Sequence, residues 1–314
     1  MSGLAFTLVA LLLVGPIPTL LARATWPMRA PRAAVVLWQS IALAAVLSAF
    51  SAGIAIASRL LVPGPDGRPT ATATSEIAVL GWPLWLAAVG VFAVTVLIGA
   101  RLAVAVLQVA IATRRRRAHH RMLVDLLAST GDGGTAWPRA SGLRILGVSE
   151  PLAYCLPGVR SRVVVSEGTL KTLQRNEIAA ILRHERAHLR ARHDLVLEMF
   201  TAVHAAFPRW VRSASALDAV RLLVELLADD AAVRAAGPAP LARALVACAS
   251  GPTPSGALAA GGPSTVLRVR RLGGRPNSLL LAGCAYLAAA AVLVVPTIAL
   301  AVPWLTELHR LLAV

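Results

Sequence analysis

Lysine and aromatic residues are scarce in this chain of 314 residues. Lys171 is the only lysine, and phenylalanine, tryptophan and tyrosine together make up 4% of the sequence. A net charge of +16 is typical of proteins that bind nucleic acid, but the sequence offers no aromatic platform on which bases could stack. We therefore expect no direct nucleic-acid binding. The preference for arginine over lysine, with abundant alanine, is typical of bacteria with high-GC genomes.

Cysteine is also rare, and its spacing argues against a cysteine-based metal or redox motif. Cys155, Cys248 and Cys284 form no C-x-x-C pair. Cys284 lies inside a long apolar run, and the other two lie in the more polar region before it. Three unpaired thiols are consistent with a reducing, cytoplasmic location for that region.

Charged residues are nearly absent from four long apolar runs. Hydrophobic residues make up 57% of the chain and the mean hydropathy is +0.70, well above the balance of a soluble protein. Each run reaches the ~20 residues that a membrane-spanning helix needs. The first run has no preceding lysine or arginine and is too long for a signal peptide, so we expect a retained span kinked at Pro16 and Pro18. The predicted spans are residues 3–22, 34–57, 77–100 and 279–302.

The arginines flank these spans on one side. They cluster after span one (Arg23, Arg29 and Arg32), after span three (Arg114 to Arg117) and before span four (Arg268 to Arg275). By the positive-inside rule we expect a multi-pass plasma-membrane protein, with anionic lipid headgroups as partners of this charge. The chain then divides into residues 1–112 with three spans, a cytoplasmic domain at 113–277, and residues 278–314 with span four and a short extracellular tail.

The most informative motif is HERAH at residues 184–188, an instance of H-E-x-x-H. It lies in a predicted helix over residues 176–192, with Asn176 as N-cap. Histidines at i and i+4 share a helix face, so His184 and His188 can reach one ion, and Glu185 can hydrogen-bond a water on it. This is the arrangement of a zinc hydrolase. The alternative is a solvated helix face, since arginines surround the motif.

Two histidines leave a zinc site one protein ligand short, and three residues are candidates for the third. Glu225 shares a face of a predicted helix with Asp229, which could accept the outer N–H of a ligand histidine. Asp194 would require a sharp helix break at Ala191, which tolerates left-handed geometry poorly. His193 would point away from the metal if the helix continues. The alternative interpretation, in which they bind no metal, makes Glu225 a surface carboxylate and places His193 and Asp194 at a polar helix end.

Between the spans the sequence predicts helices, short strands and loops. Pro208 is expected to end the second of the helices, and the glycine- and proline-rich stretches to form loops. The predicted elements are helices at 112–128, 195–206 and 219–236, strands at 143–148 and 162–166, and loops at 131–142 and 250–264.

HERAH followed by Glu225-Leu226-Leu227-Ala228-Asp229 resembles the gluzincin peptidases of the M48 and M56 types, and M56 is the nearer match. The segments 162–168, 188–194 and 204–208 agree, and the resemblance covers roughly residues 115–277. It implies that His184, His188 and Glu225 bind Zn²⁺, that Glu185 is the general base and that Asp229 supports a ligand histidine. The implied fold is a mainly helical membrane protein, with a cytoplasmic α+β minimal gluzincin domain inserted between spans three and four.

The resemblance also implies a substrate and a mode of binding. It suggests cleavage of a cytoplasmic protein, such as a transcriptional repressor, or of the protein itself, with an extended peptide bound along the strand at 162–166. The M56 group includes membrane-bound sensors of β-lactam antibiotics, but only a short tail follows span four here, so we expect no penicillin-binding domain.

Two questions stay open at this point. His204 is a candidate oxyanion stabiliser, and Tyr154 a weaker one, although a lone histidine on an apolar helix is more often simply packed. The second question is whether the chain cleaves at all. A non-catalytic membrane signalling or scaffold protein that keeps the fold is the alternative, while a transporter is disfavoured because the spans carry few charges.

Overall fold

The fold is mainly helical. The computed structural model describes residues 2–60, 62–63, 69–70, 72–128, 142–207, 214–249, 258–259, 264–274, 276–303, 305–306 and 309. Within them the helices are α1 (Ser2–Val14), α2 (Pro16–Arg23), α3 (Pro31–Ala57), α4 (Ala73–Leu127), α5 (Glu167–Thr172), α6 (Arg175–Arg190), α7 (His193–Ala206), α8 (Ala214–Ala236), α9 (Pro238–Cys248), α10 (Thr265–Leu272) and α11 (Leu279–Pro296).

Four helical segments are long and apolar enough to cross a membrane, as the sequence predicts for its four apolar runs. They are Gly3–Arg23, Pro31–Ala57, Ala73–Leu127 and Leu279–Ala299. The first is divided between α1 and α2 at Gly15, directly before Pro16 at the first position of α2. The expected kink therefore lies just ahead of the prolines, because proline favours the first turn of a new helix.

The third predicted span and the basic helix after it are one continuous helix, α4. Its 55 residues would extend about 80 Å, far beyond the ~30 Å hydrocarbon core. The two helices predicted at 77–100 and 112–128 are therefore not separate, and the predicted boundary after residue 112 falls inside α4. The interruption lies near the start instead, where Gly81 (φ 75°, ψ 155°) precedes Pro83. The residues between the two predicted helices contain neither glycine nor proline after Gly99, so nothing local ends α4 there.

A small mixed sheet lies between α4 and α6. Its strands, in spatial order, are β3 (Leu143–Leu146), β5 (Arg162–Ser166), β4 (Ala153–Leu156) and β6 (Leu258–Ala259); β1 (Val62–Pro63) and β2 (Pro69–Thr70) pair separately. β3 is parallel to β5, and the other pairings are antiparallel. Because β3 and β4 cover both edges of β5, the expectation that a peptide binds along the edge of 162–166 is wrong.

The motif helix α6 begins one residue before the predicted start, and its cap differs. Gln174, rather than Asn176, is the N-cap, in a capping box in which Glu177 accepts from the Gln174 backbone N–H at 2.9 Å. Such a box satisfies two backbone donors that helix geometry leaves unpaired. It fixes the first turn of the helix that carries HERAH.

Helix α8 connects the motif helix to the membrane helices. One face packs on α6, and the other buries Val220, Leu223 and Val224 with Trp38 of α3. On the far side, α9 packs on α6 through Leu241 and Leu245. The region between spans three and four thus shares its hydrophobic core with span two.

Helix α7 begins two residues before the predicted helix at 195–206 and packs on α4 and α8 as well as on α6. Pro208 and the predicted loop at 131–142, apart from Gly142, lie outside the described residues. So does most of the predicted loop at 250–264.

Candidate metal centre

The polar residues of HERAH point into the protein. His184 and Glu185 have no exposed surface and His188 is 1% exposed, while Arg183 and Arg190 lie exposed on the same helix. The interpretation of the motif as a solvated, charged face is therefore wrong. Polar side chains, whether neutral or charged, are rarely buried so completely unless they have hydrogen-bond partners or bind a ligand.

Three buried donor atoms converge from α6 and α8. The Nε2 atoms of His184 and His188 are 3.2 Å apart, and the carboxylate of Glu225 lies 3.4 Å from the first and 3.5 Å from the second. Ligand atoms on one tetrahedral zinc ion, at 2.0–2.1 Å from it, would be about 3.3 Å apart. The three residues thus fit the ion. They are the group of possible metal ligands found in the described part of the chain.

Each histidine of the pair has a partner on its outer nitrogen. Asp229 Oδ1 lies 3.0 Å from Nδ1 of His184, and His193 Nδ1 lies 3.1 Å from Nδ1 of His188. Such partners fix the tautomer and the ring orientation of a ligand histidine. Both Nε2 atoms are thereby directed toward Glu225.

The turn after α6 explains why His193 is close to the site. The helix ends at Arg190, and Ala191 keeps a negative φ of −84°, while Arg192 adopts the left-handed region with φ 51°. The break therefore occurs one residue beyond Ala191. It turns His193 back against His188. The helix does not continue, so the condition under which His193 would point away from the metal is not met.

Asp194 faces a different helix. Its Oδ2 accepts a hydrogen bond from Arg117 of α4 at 3.2 Å, and Arg117 also lies 3.5 Å from Glu198. Neither Asp194 nor His193 belongs to the group of converging donor atoms in the described residues. Of the three candidates for a third ligand, the structure brings Glu225 to the histidines.

Glu185 is a buried carboxylate beside His184. Within the described residues, neither carboxylate oxygen of Glu185 has a hydrogen-bond partner. Burial raises the pKa of Glu185 to about 7; the charge of Glu225 adds to this rise, while His184 and the Cys155 thiol oppose it. A carboxyl group with a pKa near neutrality can accept and return a proton at physiological pH.

In the metal-free protein the two histidines of HERAH titrate differently. Burial disfavours a charge on His184, but the neighbouring carboxylates of Asp229 and Glu225 outweigh this effect and raise its pKa to about 9. Burial lowers the pKa of His188 to about 3. At neutral pH these values favour a protonated His184, with one proton more than a neutral imidazole, and a neutral His188; zinc binding would release the extra proton.

Arg268 is a site residue that the sequence reasoning missed. It was expected to flank span four, but its guanidinium is 1% exposed and lies within 3.0 Å of Glu225 Oε2 and 2.6 Å of Asp229 Oδ1. Arg268 and Arg271, at i and i+3, share one face of α10 and contact the neighbouring residues Asp229 and Asp230 of α8. The sequence shows this arginine spacing, but α10 packs on α9, and only the tertiary structure brings its arginines to α8.

The structure does not bring the two candidate oxyanion stabilisers to the metal centre. His204 lies in the last turn of α7, eleven residues or about 16 Å along the helix from His193. The hydroxyl of Tyr154 is hydrogen-bonded at 2.9 Å to His120 of α4.

Residues 144–275 match the model of peptidase family M48. This stretch, called the peptidase region below, contains α6, α8 and α10, and the family indicates a metallopeptidase. The narrower M56 assignment stays a prediction. No curated protein and no solved structure gives a match to the chain.

Proposed function

We propose that the protein is a membrane-embedded zinc endopeptidase whose peptidase region faces the cytoplasm. The observation that carries the proposal is the convergence of His184, His188 and Glu225 at the separations of a tetrahedral zinc site. The family match supports the peptidase chemistry. The basic flanks of spans one, three and four support the orientation.

His184, His188 and Glu225 would hold the zinc ion, which would supply Lewis-acid polarisation of a water molecule and of the scissile carbonyl. Glu185, buried and with a pKa near 7, accepts the proton of the attacking water and passes it to the departing amine. Asp229 and His193 contact the Nδ1 atoms of His184 and His188 and so fix the orientation of the two rings. The buried setting strengthens each of these interactions by excluding water.

The substrate is proposed to be a cytoplasmic protein, such as a transcriptional repressor, or the chain itself. Of the sheet strands, β4 has the most extensive contact with the motif helix, and its Cys155 lies beside Glu185. Because β4 is paired on both edges, with β5 and with β6, an extended substrate is not expected to add to it as a strand.

The experiment that tests this function compares cells that express the wild type with cells that express Glu185→Gln. The amide keeps the size of the carboxyl group but cannot accept the proton. We expect at least one cytoplasmic protein, or the chain itself, to be shortened only with the wild type. If the same proteins are shortened with both, Glu185 is not the base; if none is shortened while zinc is bound, the non-catalytic alternative gains support.

A further inference from the structure

Arg268 reaches the candidate metal centre from α10, a helix that carries none of the proposed ligands. Its Nη1 lies 3.0 Å from Oε2 of Glu225, and its Nε and Nη2 donate to the two oxygens of Asp229 at 2.8 and 2.6 Å. Its Nη2 is also 3.5 Å from Nε2 of His184. One guanidinium thus contacts both Glu225, the proposed third ligand, and Asp229, which lies against the outer nitrogen of His184.

The chemistry of this contact requires arginine. Glu225 and Asp229 lie one turn apart on α8, so two carboxylates, one buried and one 15% exposed, lie side by side. Without a cation between them they would repel each other and turn apart. The planar guanidinium donates to both oxygens of Asp229 and at the same time forms an ion pair with Glu225. A lysine ammonium is a single point of charge on a flexible stem.

We propose that Arg268 is the positioning residue of the metal centre. It holds the Glu225 carboxylate toward the two histidines and holds Asp229 against Nδ1 of His184, so that the ligand set is formed before the ion binds. This inference rests on the proposed zinc function. It assigns Arg268 no contact with the substrate.

The competing explanation is that Arg268 only fastens α10 to α8. The chain contains a matched control for that role. Arg271, on the next turn of α10, donates to both oxygens of Asp230 at 2.7 and 3.2 Å. Asp230 adjoins Asp229 on α8, but the Arg271 pair includes none of the proposed ligands.

The experiment measures zinc affinity by chelator competition, and thermal unfolding, on the full-length protein in nanodiscs. We expect Arg268→Met to bind zinc about 10- to 100-fold more weakly, as when a group supporting a ligand is lost. Arg271→Met should lower the unfolding temperature but leave zinc affinity within about twofold of the wild type. Wild-type affinity in Arg268→Met, or an equal loss in both variants, overturns the proposal.

A second variant covers the case in which Arg268→Met does not fold. Arg268→Lys keeps the charge and loses the planar fork, so we expect a zinc affinity about tenfold below that of the wild type; an unchanged affinity overturns the proposal. Failure of the wild type to bind zinc would contradict both this inference and the proposed function. A wild type that binds zinc but cleaves nothing would contradict the peptidase function alone.

Discussion

At the scale of single residues, three histidines of one sequence segment differ because their neighbours differ. His184 has Asp229 on its outer nitrogen, His188 has His193, and His193 has turned back from the start of the next helix. The imidazole chemistry is the same in each. The Asp229 carboxylate beside His184, and the left-handed turn at Arg192 that brings His193 to His188, give the three rings different surroundings.

The first prediction concerns the third ligand. Glu225→Ala should weaken zinc binding by on the order of 100-fold or more, because it removes a donor atom and not only a supporting group. Asp194→Asn should keep zinc near the wild-type level, since Asp194 faces Arg117. Zinc content by atomic absorption checks both. Loss of zinc in Asp194→Asn, with retention in Glu225→Ala, would reverse the assignment.

The sequence predicted a large part of the site, for a local reason. His184, Glu185 and His188 share one helix turn, and the Glu225–Asp229 pair shares another, so helical spacing alone places each set. The position of Arg268 depends on how α10 packs on α9, and that of His193 on the backbone angle at Arg192. Neither follows from local spacing.

At the scale of elements, α3 and α4 approach closely within the predicted membrane region. A Cβ added at Gly53 would lie 2.8 Å from Cβ of Thr95, so rotation of the threonine side chain could not relieve the contact. A similar crossing places Gly99 against Phe50. Small residues allow this packing of helices in membranes.

The second prediction follows from that crossing. Gly53→Ala should destabilise the helix pair by about 1–3 kcal/mol, the usual effect of overpacking. Gly90→Ala is the matched control, because an added Cβ there meets nothing within 4 Å and alanine favours the helix. Thermal unfolding in detergent measures both. Equal unfolding temperatures for the two variants would mean that the helices do not pack at Gly53.

The third prediction concerns the capping box of α6. Glu177→Ala removes the cap and the ion pair with Arg243, and should lower stability by about 1–2 kcal/mol. Glu167→Ala, which removes only the exposed pair with Lys171, should change it little. Denaturant unfolding distinguishes them, and equal effects would argue against the capping box.

The same residue should contribute to acid sensitivity. Hydrogen bonds from Arg243 and from the Gln174 backbone lower the pKa of Glu177. Its stabilising contribution is therefore complete above the unfolded-state pKa of about 4.3 and is lost as the pH falls through the lower folded-state value. The difference in stability between wild type and Glu177→Gln should shrink over that acid range.

Elements were predicted best where one periodic pattern extends over many residues. The four apolar helices, α6, α7 and α8 all follow from such patterns. Strand β4 was missed although Pro151 and Pro157 bound it, because four residues are too few to show alternation. The continuity of α4 was also missed, since a change from apolar to basic residues marks the membrane surface and not a helix end.

At the scale of the whole molecule, the peptidase region and the membrane helices form a continuous structure. Trp38 of span two is 1% exposed and packs among the apolar residues of α8. Arg271 of α10 donates to the Met28 carbonyl, and the Ser278 N–H donates to the Arg29 carbonyl. The basic loop after span one thus lies against the peptidase region and the start of span four.

The fourth prediction tests the orientation. Thr74 and Ser149 are exposed, and they lie on opposite sides of the membrane in the proposed topology. In intact cells an impermeant maleimide should label Thr74→Cys and should label Ser149→Cys only after lysis. The background contains the buried Cys155 and Cys248, with Cys284 replaced by serine. Labelling of Ser149→Cys in intact cells would place the peptidase region outside.

In the proposed function, His184, His188 and Glu225 hold a zinc ion and Glu185 is the base for cleavage of a protein substrate. The most direct measurement determines zinc content and hydrolysis of a fluorescent protein substrate on the same nanodisc samples of wild type and Glu185→Gln. We expect one zinc per chain in both, and chelator-sensitive cleavage in the wild type alone, with the variant slower by about 10²–10⁴-fold. Equal cleavage by the two proteins, or wild-type cleavage without bound metal, would contradict the claim.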